Sequence, residues 1–126
     1  MWLPKQIKIG AYTHQVLYPF QFAAGVDLCG QILGTNGEIR LSEQQDGVPY
    51  PPEYVWQTFF HEVCHRVGRL VGSKELAEGE EINDRVAHLV LQILMDNGWL
   101  VPELPGPEPS AVTPTPACKR GRPARK

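Results

Sequence analysis

Two histidines and a glutamate form an H-E-x-x-H motif, His61-Glu62-Val-Cys-His65. Residues four apart lie on one face of an α-helix, so both imidazoles can bind a single Zn²⁺. The glutamate can then accept a proton from a water molecule at the metal, whose pKa the metal lowers. This chemistry is zinc-dependent hydrolysis with Glu62 as general base. The alternative is a pair of hydrogen-bonded structural histidines.

A third protein ligand must come from another segment, because catalytic zinc usually takes three protein ligands and keeps one position open. No further histidine follows the motif at metal-binding spacing. On a helical wheel of the second predicted helix, with Ile82 at zero, Asp84 falls at roughly 200°, at the edge of the apolar arc. A carboxylate there needs a partner, so Asp84 is the predicted third ligand. Glu81 and His88 are alternatives, and Asp84 could instead form a surface ion pair.

The segments that must position these residues are short strands followed by helices. Strands are predicted over residues 6–11, 13–18, 31–33 and 38–41, with a hairpin at the Asn-Gly pair before the last. The proline-rich residues 46–52 predict a loop. The sequence therefore predicts an α+β fold, in which a small N-terminal antiparallel sheet packs on two core helices.

Helix boundaries follow from local signals. The motif helix should begin at Pro52, whose fixed φ suits a first turn, and end near Val71, before Gly72. The second helix should cover residues 80–97, with an acidic first turn and an Asn-Gly end. Residues 73–79 connect the two, with at most one helical turn between them.

Charge and proline are distributed unevenly. The chain has 126 residues and a net charge of −2, yet its last eight residues carry five basic side chains and no acidic one. Seven of the 12 prolines follow residue 101. This pattern predicts one folded domain over residues 1–101, a disordered proline-rich linker over 102–118 and a basic tail over 119–126.

The basic tail resembles an AT-hook. Glycine lets the backbone approach the floor of a narrow minor groove, and the two flanking arginines extend along A·T-rich DNA. The neighbouring basic residues can reach phosphates. The alternative is a generic basic tail that contacts any polyanion. The residues of this predicted DNA-binding segment are Lys119, Arg120, Gly121, Arg122, Pro123, Arg125 and Lys126.

The composition disfavours several classes of protein. The longest apolar stretch is shorter than a membrane span, and the first residues lack the regions of a signal peptide. Three cysteines without paired spacing argue against a disulfide scaffold and favour a reducing compartment. We therefore expect a cytoplasmic protein with no membrane partner. His14 occupies a polar strand position, so we expect it to be solvated.

The motif and the predicted layout resemble a minimal zincin of the gluzincin type. The resemblance is to small phage-encoded H-E-x-x-H proteins and, more distantly, to ImmA/IrrE-like metallopeptidases. It covers about residues 5–100 and rests mainly on the H-E-x-x-H motif. The resemblance implies a zinc peptidase acting on a peptide or protein, in the host cytoplasm if phage-encoded. The usual acidic ligand of that family is Glu, where this chain has the shorter Asp84.

The resemblance also implies an edge strand beside the active helix, which aligns an extended peptide through main-chain hydrogen bonds. The matching segment is Glu38–Leu41. Tyr54, Arg66 and His88 are candidates for stabilising an oxyanion. The competing hypothesis is a non-catalytic, DNA-associated protein with the same fold and a structural or vestigial metal site.

Overall fold

The structure is a computed structural model that describes residues 2–23, 26, 28–34 and 37–104. Within them lie strands β1 (Gln6–Ile9), β2 (Tyr12–Leu17), β3 (Gly30–Leu33), β4 (Glu38–Leu41), β5 (Gln44–Gln45) and β6 (Val48–Pro49). The helices are α1 (Pro52–Val71), α2 (Lys74–Glu78) and α3 (Glu80–Asp96). The predicted α+β class, with an N-terminal sheet packed on helices, is confirmed. The predicted DNA-binding tail and most of the predicted linker lie outside the described residues.

The first four strands form a mixed sheet in the order β1-β2-β4-β3. Two pairs are antiparallel, but β2 and β4 run parallel, because the chain passes beyond β4 to form β3 before returning. Glu38–Leu41 is therefore an interior strand, and its prediction as the edge strand beside the motif helix is wrong. The edge strands are β1 and β3, and of these two β3 makes the larger contact with α1.

One face of this sheet forms the core with α1. Side chains alternate along each strand, so Ile32 and Ile39 point inward as a cross-strand pair and are fully buried. His14 alternates with Thr13 and Gln15, shares the inward face of β2 with Val16 and is also fully buried. The expectation of a solvated His14 is wrong. Burial and the charge of Arg66 lower the pKa of His14.

Helix α1 has the predicted bounds. It begins at Pro52 and is closed by Gly72, whose φ of 78° is the left-handed conformation that glycine adopts without strain. The predicted turn before α3 is confirmed as α2, whose first turn is capped by the Ser73 side chain. Helix α3 ends at Asp96, one residue earlier than predicted. In the described part of the chain, no helix is long and apolar enough to cross a bilayer.

A small hairpin replaces the loop that was predicted after β4. Strands β5 and β6 pair across Asp46 and Gly47, which both have positive φ, at 52° and 80°. These angles suit the tight turn of a two-residue hairpin. Pro49 is tolerated because this two-stranded ribbon requires few ladder hydrogen bonds.

Helix α3 turns a different face to the core than its apolar arc predicts. Its buried residues are Asn83, Ala87 and Leu91. Ile82 and Leu89, which lie at the opposite edge of the predicted buried arc, are 42% and 56% exposed. The buried face, at roughly 100–180° on the wheel, therefore lies towards the Ala87–Leu91 side of the predicted arc. It is the face that meets the motif histidines of α1.

After α3 the chain returns to the N-terminal part of α1. Leu100 is 5% exposed, and the Trp56 indole N–H donates to the Glu103 carbonyl at 3.1 Å. Glu103 also bridges to Trp2 in a parallel arrangement. Residues 102–104 therefore pack against the domain, although the sequence places the linker from residue 102.

Gly68 allows α2 to lie directly against α1. A Cβ built on Gly68 would stand 2.5 Å from the Ala77 backbone nitrogen and 2.6 Å from the Leu76 carbonyl carbon. Backbone atoms cannot rotate away as a side chain can. We expect Gly68→Ala to lower the free energy of unfolding by about 1–3 kcal/mol, despite alanine's better helix propensity. Urea denaturation measures this change.

Arg69→Ala is the matched control, because Arg69 is the exposed neighbour of Gly68 on the same helix. Its unfolding free energy should stay within about 0.5 kcal/mol of the parent chain. If Gly68→Ala is as stable as this control, the close approach of α2 to α1 is not as the structure has it.

Candidate metal centre

Three potential metal ligands converge between α1 and the start of α3, namely His61, His65 and Glu80. One ligand atom from each residue lies within 4.8 Å of the others. Nε2 of His61 is 3.1 Å from Nε2 of His65 and 2.9 Å from Oε1 of Glu80. The second carboxylate oxygen of Glu80 is 3.4 Å from Nε2 of His65. This set of two imidazoles and one carboxylate could hold a metal ion.

The two helices fix these side chains at different depths. His61 and His65 lie one turn apart in the middle of α1 and are at most 1% exposed. Glu80 is the first residue of α3, and its side chain is 34% exposed. The histidines therefore form the floor of the centre, while the carboxylate lies at its border with solvent.

A second layer of contacts orients both imidazoles. Nδ1 of His61 lies 3.2 Å from Oδ1 of Asp84, and Nδ1 of His65 lies 3.0 Å from the Ala77 carbonyl oxygen. The Ala77 carbonyl can only accept, whereas the Asn83 amide nitrogen, a donor, also lies 3.0 Å from Nδ1 of His65, so these two contacts favour opposite tautomers of that ring. The Asp84 carboxylate is likewise an acceptor for His61. Nε2 of His61 faces Glu80, to which it donates in the charged ring, and in the neutral ring with its proton on Nδ1 the same atom could bind a metal.

The centre holds closely coupled charges. Burial lowers the pKa of His61, but hydrogen bonds with Asp84 and Glu80 and the charge of Glu62 outweigh burial and raise that pKa to about 9. Burial raises the pKa of Glu80, but hydrogen bonds from His61 and His65 outweigh it and lower that pKa to about 2. In the metal-free chain, Glu80 is therefore ionised and paired with the motif histidines.

Glu62 lies on the sheet side of α1, next to the ligand face. It is fully buried. A Cβ built on Gly30, the first residue of β3, would stand 3.3 Å from Oε2 of Glu62 and would collide with the Thr58 methyl group. Glycine at this position thus lets the edge strand approach α1, and it brings that strand next to the Glu62 carboxylate.

The other predicted residues fall at different distances from the centre. Asp84 contacts the far nitrogen of His61 and is not in the three-residue cluster. Glu81 forms an exposed ion pair with Arg85 at 2.7 Å, and His88 is exposed on α3. Asp84 as the third ligand stays a prediction, while the geometry favours Glu80 in that position.

The residues suggested for oxyanion stabilisation also lie outside the cluster. The Arg66 guanidinium stacks over Tyr12, 4.8 Å from its ring centroid. The Tyr54 hydroxyl lies 3.7 Å from Sγ of Cys29. Both side chains belong to α1, but each is directed to a neighbour other than the histidine pair.

Sequence reasoning missed Glu80, although a signal was present. On the wheel with Ile82 at zero, Glu80 falls at about 160°, between Ala87 and Leu91. Those two residues are 0% and 5% exposed, so Glu80 occupies the middle of the buried face. Ala87 and Leu91 extend the predicted apolar arc, so the position of Glu80 between them was the signal for a third ligand.

Comparison of the chain with protein-family models, with curated proteins and with solved structures gives no match in any of the three. The likeness to gluzincins therefore remains one of motif and layout. Function has to be inferred from the residues of the centre.

Three single substitutions distinguish the carboxylates. We expect Glu80→Gln to abolish stoichiometric zinc binding, because it removes a ligand atom from the cluster. Asp84→Asn should weaken affinity by about 10–100-fold, as loss of an orienting partner does. Glu81→Gln is the matched control and should bind as the parent does. Affinity is measured by competition with a chromophoric chelator.

The opposite order would overturn this assignment. If Asp84→Asn abolishes zinc binding and Glu80→Gln leaves it intact, Asp84 is the ligand, as the sequence predicts. His61→Ala provides the reference for complete loss, because it removes an imidazole that either ligand set requires.

Proposed function

We propose that this chain is a zinc-dependent peptidase of the zincin type. The observation that carries the proposal is the convergence of the His61 and His65 Nε2 atoms with the Glu80 carboxylate, beside the buried Glu62. The donor set suits zinc, because imidazole and carboxylate ligands at about 2.0–2.1 Å in a tetrahedron lie roughly 3.3–3.4 Å apart. Nε2 of His61 lies 3.1 Å from Nε2 of His65 and 2.9 Å from Oε1 of Glu80, close to that spacing, while the other Glu80 oxygen lies 3.4 Å from His65.

Zinc bound to these ligands would lower the pKa of water and polarise a peptide carbonyl. The chain's own residues supply the rest. Glu62 accepts the proton of the attacking water on its carboxylate and can return it to the leaving amine. Asp84 would hold His61 with Nε2 towards the metal, and Ala77 and Asn83 orient the His65 ring through its Nδ1.

The edge strand β3 is the element best placed to hold the substrate. Its neighbour in the sheet is β4, so its other side has no partner among the described strands. An extended peptide could add there by main-chain hydrogen bonds. Gly30 would bring that peptide close to Glu62. This role, which the resemblance assigned to Glu38–Leu41, moves to β3.

Glu62→Gln tests the chemistry. The variant should bind zinc and unfold as the parent does, yet lose peptide hydrolysis by about 10²–10⁴-fold, because it removes only the proton acceptor. Hydrolysis is measured with a mixed peptide library and mass spectrometry. The matched control is Glu53→Gln, at an exposed position in the first turn of α1.

Two outcomes would overturn the peptidase proposal. Equal cleavage by the parent and Glu62→Gln would assign the activity to another source or another mechanism. Absence of cleavage by a zinc-loaded parent chain would favour the alternative, a non-catalytic protein whose metal site is structural.

The charge distribution also favours contact with DNA through the tail. The last eight residues carry five of the chain's 12 basic side chains, whereas all 14 acidic ones precede them. DNA should repel the acidic domain, so affinity for DNA has to come from the tail. We propose that the tail localises the domain to A·T-rich DNA, with Arg120 and Arg122 in the minor groove.

Truncation after Pro116 tests this role. The shortened chain should keep zinc and lose DNA binding, and binding by the full chain should weaken with salt at a slope near −0.9 per phosphate contact. Arg120→Ala and Arg122→Ala should cost more affinity than Arg125→Ala, and A·T-rich duplex should bind better than G·C-rich duplex. Fluorescence anisotropy measures each affinity. Equal losses and indifference to A·T content would instead identify a generic basic tail.

A further inference from the structure

A second site lies apart from the metal ligands, in a cavity of about 600 Å³. Its walls come from the segment that follows β2 and from the β5–β6 hairpin with its flanks. Aromatic and acidic side chains stand out among the lining residues. They include Phe20, Phe22, Glu43 and Asp46.

The charge of the cavity is negative. Glu43 and Asp46 line its solvent-exposed border, and neither forms an ion pair with a described residue. Its described lining includes no lysine or arginine. Burial and then the Glu43 charge raise the pKa of the nearby Tyr18 to about 12, as expected where the potential is negative. A cationic ligand would therefore be favoured here and an anionic one excluded.

The aromatic rings add a second feature that suits a cation. Phe20 and Phe22 meet edge to face, with centroids 4.9 Å apart. Phe20 already accepts a guanidinium on one face, because Arg40 lies 4.8 Å from its ring centroid. Arg40 is itself neutralised by Glu38 at 2.8 Å. Aromatic faces next to carboxylates bind alkylammonium and guanidinium groups, whose stems pack on the rings.

The cavity lies close along the chain to the start of the edge strand β3. Leu28 lines it, and two residues later the chain reaches Gly30, which lies against Glu62. Two extended residues span roughly 7 Å, so a peptide paired with β3 would pass the cavity within a few residues of the bond beside Glu62. We propose that this cavity binds a lysine or arginine side chain of the peptide substrate. That the cationic group belongs to a peptide substrate rests on the proposed peptidase function. The binding of a cationic group in the cavity does not depend on it.

Agmatine, a guanidinium on a four-carbon stem, tests the cavity without any hydrolysis. We expect it to bind the full chain and to shift amide signals around the β5–β6 turn in NMR titrations. Glu43→Gln combined with Asp46→Asn should weaken this binding at least tenfold. The control is Glu53→Gln combined with Glu75→Gln, which removes the same charge from exposed helical positions. Absence of agmatine binding, or equal weakening in the control, would overturn the proposal.

Matched peptides test the link to hydrolysis. An arginine peptide should be cleaved with a higher kcat/KM than the same peptide with neutral citrulline. The cavity double variant should remove that preference, whereas the control double variant should keep it. Cleavage without any such preference would overturn the subsite but leave the peptidase function standing. Agmatine binding without cleavage of any peptide would overturn the peptidase function and the peptide as ligand, while the cation site itself stands.

Discussion

The packing of α1 on α3 depends on one polar contact, that of two buried imidazoles with the Glu80 carboxylate. Burying His61 and His65 costs free energy unless hydrogen bonds or a metal satisfy their nitrogens. Glu80 contacts both Nε2 atoms, while Asp84 and the Ala77 carbonyl contact the Nδ1 atoms. A metal would use the same three ligands, so metal binding and helix packing stabilise one arrangement. Losing either partner would leave a buried polar group, which costs more than the pair contributes.

The strand order decides which part of the sheet can serve this centre. Because β4 returns beside β2, β3 is left at the edge and next to α1. Gly30 then allows that edge to approach Glu62, since any larger residue would collide with Thr58. Topology and the absence of a side chain at Gly30 thus bring β3, which could hold a peptide, next to Glu62, which could activate water. The cavity at Leu28 lies on the same path.

Local signals were sufficient for the helices and the first four strands, but not for the β5–β6 hairpin or for the orientation of the elements. Pro52 and Gly72 mark the ends of α1 in the sequence as in the structure, because capping depends on neighbouring residues. The edge strand was misassigned because strand order depends on contacts distant in sequence. On α3, hydrophobicity alone favoured the face around Ile82, whereas the helix buries the face that satisfies His61 and His65. The histidine pair was evident from spacing, and Glu80 became evident only once that face was known.

Helix α3 has two faces that compete for the core, and their energies explain which one wins. Turning Ile82, Leu89 and Ile93 to solvent leaves them 42%, 56% and 46% exposed. At about 1.5–3 kcal/mol for full burial of each, the loss is on the order of 3 kcal/mol. The reverse orientation would take Glu80 and Asp84 away from the imidazoles, and each unpaired buried polar or charged group costs several kcal/mol. The contact of Glu80 and Asp84 with the imidazoles therefore contributes more free energy than burial of the apolar face would. Ile82, Leu89 and Ile93 are left exposed on α3 as a consequence.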